Sequence, residues 1–240
     1  MNPIPLLSTV VSFGFTVAVF QRYLVRKGPH LLMWSIGLFL YGLGTLTEVL
    51  LSMSFNPAFL KIWYLCGAML TAAWLGMGTI HLLVRRGRIA WAITAGLGVL
   101  SLASLALVFS APLTPAAAAY QPLIAASAQY KDILVRSGAI TALTIILNIF
   151  GTLGMVGGAI YSAYLFWRKQ VLLNRVIGNV LIAAGALSPA MAGSFVKAGL
   201  VDILYVSELI GAALMFLGFW LATSRAAVAV TTQSSAVKQS

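Results

Sequence analysis

The sequence predicts an all-α membrane protein of seven transmembrane helices, with its N-terminus outside and its C-terminus in the cytoplasm. Three observations predict it. Hydrophobic residues make up 61% of the 240 and charged residues only 8%, against roughly a quarter charged in soluble domains. Seven stretches have the length and apolarity needed to cross a bilayer core of about 30 Å. The basic residues cluster between these stretches, mostly on one side of the predicted membrane.

The seven predicted spans are 5–20, 31–52, 58–84, 89–110, 140–167, 176–196 and 201–223. The first is short, and the third and fifth are long enough to tilt or protrude. No basic n-region precedes span 1, so it is expected to be a retained helix rather than a signal peptide. Arg22, Arg26 and Lys27 follow span 1; Arg85, Arg86 and Arg88 follow span 3. Arg168, Lys169 and Arg175 follow span 5; Arg225 and Lys238 follow span 7. These eleven face four on the other side: Lys61, Lys131, Arg136 and Lys197. The excess places the first set in the cytoplasm. The net charge of +11 therefore reads as membrane orientation and not as a nucleic-acid surface. A bacterial plasma membrane is the expected location. Cys66 is the one cysteine, which excludes an intrachain disulfide.

The long connection, 111–138, lies outside in this topology and carries Pro112, Pro115, Pro122, Tyr120 and Tyr130. It reads either as a lid over an outer cavity or as a surface-lying piece with no role. The polar tail, 226–240, is expected to carry no output domain.

An internal repeat is also legible. A shift of 141 residues aligns spans 1–3 with spans 5–7. Over 23–48 it gives nine identical pairs, among them Tyr23/Tyr164, Leu24/Leu165, Gly37/Gly178 and Gly44/Gly185. The single domain 1–225 then divides into repeat 1 (5–84), a linker helix (89–110), the loop, and repeat 2 (140–223). Both triplets start outside, so the repeats are parallel.

Ionisable groups at membrane depth are expensive and face a bundle interior or a cavity. Glu48 in span 2 and Glu208 in span 7 both fall in the outer half. Helical spacing puts Tyr41, Thr45 and Glu48 on one face and Tyr205, Glu208, Ala212 and Met215 on another. Tyr64, Gly67, Thr71, Trp74, Gly78 and His81 form a stripe in span 3, and Thr141, Thr144, Asn148 and Gly151 form one in span 5. If the stripes converge, they line an outward-facing cavity whose ligand-binding residues are Glu48, Tyr64, Trp74, Asn148, Tyr205 and Glu208. The competing reading is structural, with protonated carboxylates bonded across helices and small residues permitting close packing. Gly154 and Gly158 form a GxxxG, and Pro189 is expected to kink span 6.

No cofactor is expected. His30 and His81, both near the inner surface, leave haem ligation as the alternative. No HExxH, P-loop, dinucleotide fingerprint or Cys/His metal cluster appears, and span 7 has no lysine for a retinal Schiff base. The expectation is a non-enzymatic protein.

Trp34, Gly37, Glu48, Trp63, Tyr64, Gly67 and Trp74 resemble the seven-helix N-terminal sensor modules of bacterial histidine kinases, a likeness confined to spans 2–3 and the helix count. The resemblance implies perception of a small ligand from the outer face, with a membrane-protein partner to carry the signal. The three-plus-one-plus-three plan is similar to SWEET-type facilitators, though their Pro-Gln motif is absent from spans 1 and 5. Three readings follow: a receptor-like small-ligand binder, a small-solute facilitator or proton-coupled transporter, and a structural subunit of a larger membrane complex.

Overall fold

The computed structural model describes residues 3–84, 87–168 and 201–223, with positions 174, 177, 178, 180–182, 184 and 185 between them. The rest of predicted span 6, with Pro189, and the tail 226–240 lie outside the described residues.

Among the described residues the chain is helical, without a strand beyond an isolated bridge between Leu113 and Leu134. Five helical stretches are long and apolar enough to cross a membrane: Ile4–Arg26, Pro29–Met53, Pro57–Leu83, Gly87–Ser110 and Gly138–Gly157.

Helix α1 spans Pro3–Arg26, six residues past its predicted end. Its extension carries Arg22 and Arg26. Lys27 ends it with a positive φ of 52°, a left-handed turn in which its N–H donates to Tyr23 O at 2.7 Å. Helix α2, Pro29–Met53, begins with proline at its first turn, where the missing N–H costs no helical bond. Helix α3, Pro57–Trp63, starts at Asn56, whose side chain accepts from Ala58 N.

The third apolar stretch is one helix with a widened middle. α3 passes through a π-turn at Tyr64–Leu70 into α4, Thr71–Leu83. Thr71 Oγ1 donates to Cys66 O, five residues back, at 2.7 Å. Helix α5 is Gly87–Ser110. In the loop lie a 3-10 turn, Pro115–Ala119, and α6, Ala126–Ile133. Helix α7, Gly138–Thr152, runs through a second π-turn, Leu153–Gly157, into α8, Gly158–Arg168. Helix α9 is Val201–Thr223.

Glycines set the packing. α2 lies between α1 and the α3–α4 helix. A Cβ on Gly44 would meet Gly67 Cα at 2.9 Å, and one on Gly37 would meet Leu75 N at 2.8 Å. On its other side α4 meets α7, where a Cβ on Gly151 would lie 2.1 Å from the Ala72 carbonyl carbon. These are the small-residue contacts that bring helices together where lipid supplies no hydrophobic drive. Phe15 joins α1 to α9 by an edge contact with Phe216 at 5.3 Å and a tilted contact with Phe219 at 5.5 Å. α5, the outer face of α7 and the second π-turn leave Val99, Leu102, Ile145, Ile146 and Leu153 exposed, an apolar surface suited to lipid.

Candidate functional site

The polar residues singled out in the sequence divide among three places. In the first, Tyr64, 1% exposed, shares a hydrogen bond with Thr144 Oγ1 at 2.9 Å. One turn further along α7, Asn148 Nδ2 donates to Ala68 O and to Thr144 O, both at 2.8 Å. Tyr64 and Asn148 thus belong to one network between the first π-turn and α7, and the Ala68 carbonyl, in that π-turn, is one of its acceptors. In the second, Trp74 Nε1 donates to Ser101 Oγ on α5 at 3.2 Å.

The third place is Glu48. Its carboxylate is buried and Oε1 accepts from Ala126 N, the first residue of α6, at 3.0 Å. An anion at a helix N-terminus meets an unsatisfied N–H and the positive end of the helix dipole. α6 extends across the same end of the bundle to Tyr64, whose ring lies 5.5 Å from that of Tyr130. The backbone of α9 includes Tyr205 and Glu208, whose side chains lie outside the described residues.

The loop is therefore a folded cap. Gln129 Nε2 donates to Gln121 O and Ile124 O, and its Oε1 accepts from Gln121 N. Leu51 and Leu60 of the bundle pack with Ala126 and Ile133 of the cap in one buried cluster. Phe55 faces Tyr120 at 4.8 Å, and the Arg136 guanidinium lies over the Tyr130 ring at 5.2 Å.

The phenols of the cap respond to this burial. Burial first, and the Glu48 charge second, push Tyr120 up to about 12. Burial also raises Tyr130, partly offset by Arg136. An unfolded phenol ionises near pH 10, so the stability tied to Tyr120 is full below that pH. It is lost as pH rises through about 12, because in that window the folded state holds the proton and the unfolded state does not. Subtracting the tyrosinate absorbance titration of Tyr120→Phe from that of the parent is expected to leave one phenol with a midpoint near 12. A difference curve centred near 10 would contradict this placement.

His81 Nε2 hydrogen-bonds Thr94 Oγ1 at 2.8 Å, with its ring edge-on to Trp91 at 5.0 Å. His30 is edge-on to Trp34 at 5.4 Å. No group of three or more His, Cys, Asp or Glu able to hold a metal occurs among the described residues.

A cavity of about 40 Å³ lies elsewhere, lined by Phe15, Val19, Trp34, Leu38, Leu75, Met155, Ile182, Met215 and Phe219. Its wall is apolar, so it is the kind of void that stays dry and accepts small apolar molecules. Most of these residues carry no signal in an apolar chain. Trp34 and Met215 alone stood out, Trp34 through the sensor-module pattern and Met215 on the stripe below Glu208. Comparison with protein-family models, curated proteins and solved structures found no match for the chain.

Proposed function

We propose that the protein is a non-enzymatic, receptor-like protein of a bacterial plasma membrane that binds a small, mainly apolar ligand between two parallel triplets of helices. The cavity wall carries this reading. Phe15 and Val19 come from predicted span 1, Trp34 and Leu38 from span 2, and Leu75 from span 3. Met155 comes from span 5, Ile182 from span 6, and Met215 and Phe219 from span 7. All six helices of the two triplets contribute, and the linker helix contributes none. Sites in repeat-built membrane proteins lie at such interfaces.

The glycines of the repeat support the triplets. Gly37 and Gly44 face α4 and the first π-turn, as described. Their counterparts do the same with α9: a Cβ on Gly185 would sit 2.7 Å from Gly211 O, and one on Gly218 would sit 2.5 Å from Gly178 O. Residues 141 apart thus make backbone-close antiparallel crossings of the same kind. Seven spans with the basic loops inside complete the reading, and signalling then passes to a partner at those loops.

Glu48 keeps a role here as the anchor of the cap over the outer end. Tyr64, Trp74 and Asn148 hold the α3–α4 helix against α5 and α7.

The test uses the full chain in a neutral detergent with xenon, methanol and ethanol as probes, sized to a void of about 40 Å³. At ten times the dissociation constant a ligand adds about 1.4 kcal/mol, or roughly 3 °C in Tm for a chain of this size. Leu38→Trp and Met215→Trp, which fill the cavity, are expected to abolish the shift. A shift of equal size in the filled variants would overturn the proposal. The facilitator reading is favoured by the same six-helix wall. It predicts uptake of the probe class into proteoliposomes, with or without a pH gradient.

A further inference from the structure

The first π-turn, between α3 and α4, is held along its whole length. At its start the Tyr64 hydroxyl shares a hydrogen bond with Thr144 on α7. At its centre the Ala68 carbonyl accepts from Asn148 Nδ2, also on α7. At its end Thr71 donates twice to Cys66 O, through its backbone N–H and through Oγ1. A π-turn closes its hydrogen bonds over five residues where an α-helix uses four, and it is rare. On one side of the turn, α4 is fixed to α7 by the backbone contact of Gly151 with Ala72. On the other side the cap grips α3. The Tyr130 ring lies 5.4 Å from that of Trp63 and 5.5 Å from that of Tyr64, and Ala126 and Ile133 share a buried cluster with Leu60. Where the turn crosses α2, Gly67 meets Gly44 backbone to backbone, a contact with no interlocking side chains.

We infer that the first π-turn is a register joint latched by the cap: with Tyr130 seated on Trp63 and Tyr64 the turn is π, and with the cap released it relaxes to α. The change moves α3 by one helical residue relative to α4, a rotation of about 100° and an advance of about 1.5 Å. The two registers differ in their contacts. In the α register Leu70 N–H takes Cys66 O in place of Thr71 N–H. Tyr64 then turns away from both Thr144 and Tyr130. The cap contact and the α7 contacts are thus made in the π register, and each biases the same two-state element. Lifting the cap is thereby converted into rotation of a membrane-crossing helix, without any ligand in the apolar cavity.

The experiment measures the distance between nitroxide labels on the full chain in a neutral detergent by double electron–electron resonance. The labels sit at Ala58→Cys on α3 and Ile145→Cys on α7, both exposed positions, with Cys66→Ala as background. A group on the helix surface, about 5 Å from the axis, moves by about 8 Å in a 100° turn. The parent is expected to give one narrow distance. Tyr130→Ala, which removes the latch, and Asn148→Leu, which removes the donor to Ala68 O, are each expected to add a second discrete distance, displaced by up to about 8 Å. Deleting Ala68 takes out the extra residue and leaves a regular helix with α3 and α4 where they stand. That variant is expected to keep the parental distance alone, and to keep it when Tyr130→Ala is added. A parental distance alone in both Tyr130→Ala and Asn148→Leu overturns the joint. So does a second distance that persists when the Ala68 deletion is combined with Tyr130→Ala. Where the deletion yields no monodisperse protein, the Tyr130→Ala distribution decides: a second discrete distance supports the joint, and a broad spread shows α3 merely coming loose and overturns it.

Discussion

Replacing Gly151 with leucine is expected to yield no folded protein, and even Gly151→Ala is expected to cost about 3 kcal/mol or more. The reason is a crossing of backbones rather than of side chains. A Cβ at 151 would lie 2.1 Å from the Ala72 carbonyl carbon and 2.5 Å from Ala73 N, and one at 76 would lie 2.6 Å from Gly151 O. None of these neighbours is the end of a flexible side chain, so a helix has to move. Overpacking in a filled interior costs 1–3 kcal/mol and occasionally more, and separating α4 from α7 also strains the Tyr64–Thr144 and Asn148–Ala68 bonds. Gly154→Ala, with its nearest backbone at 3.1 Å, is expected to fall between Gly151→Ala and the parent. Gly157→Ala has nothing within 4 Å and gains helix propensity, so it is expected to be neutral or slightly stabilising. Thermal denaturation in detergent, with size-exclusion monodispersity as the folding criterion, gives the order. Gly151→Ala melting with the parent would contradict the crossing.

Glu48→Leu is expected to release the cap. The substitution removes the acceptor for Ala126 N and leaves a buried donor at the start of α6, at a cost of about 1–3 kcal/mol. Local opening then becomes roughly 10- to 100-fold more frequent. Trypsin has two sites in the cap region, Lys131 and Arg136, so limited proteolysis reads the opening directly. Glu48→Gln keeps an oxygen acceptor and loses the charge that faces the dipole of α6, so its cleavage rate is expected between those of the parent and the leucine variant. Equal cleavage in all three would show that Ala126 is held by something else.

These two substitutions also show which features were legible in the sequence. The helices were legible because lipid imposes a length and an apolarity that no soluble core demands. The end of α1 was read six residues early, since a count of apolar residues stops at Gln21 while the helix continues beneath charged side chains that reach the interface. The stripe of span 5 was legible by spacing, and Gly151 stood on it. That Gly151 meets the backbone of α4 depended on the relative rotation of two helices, which spacing within one helix does not specify.

The candidate site was legible in pieces. Glu48 attracted notice because a carboxylate at membrane depth must be compensated. Its compensation is a backbone N–H 78 residues away in a loop, and a backbone N–H has no letter in a sequence. Tyr64 and Asn148 stood on polar stripes, and the partners in their network include the Ala68 carbonyl, again backbone. The cavity was the least legible feature, because Phe15, Leu38 and Leu75 are ordinary residues for the helices that carry them.

By itself the sequence determined that this protein is a set of apolar helices with basic charge confined to their ends, because those properties follow from composition and order along the chain. Only the tertiary structure decided that Glu48 anchors a cap, that Gly151 lies against the backbone of α4, and that the described void is apolar. Each of these depends on which faces of separate helices meet, and that is set by the mutual fit of backbones and side chains across the bundle rather than by any pattern within one span.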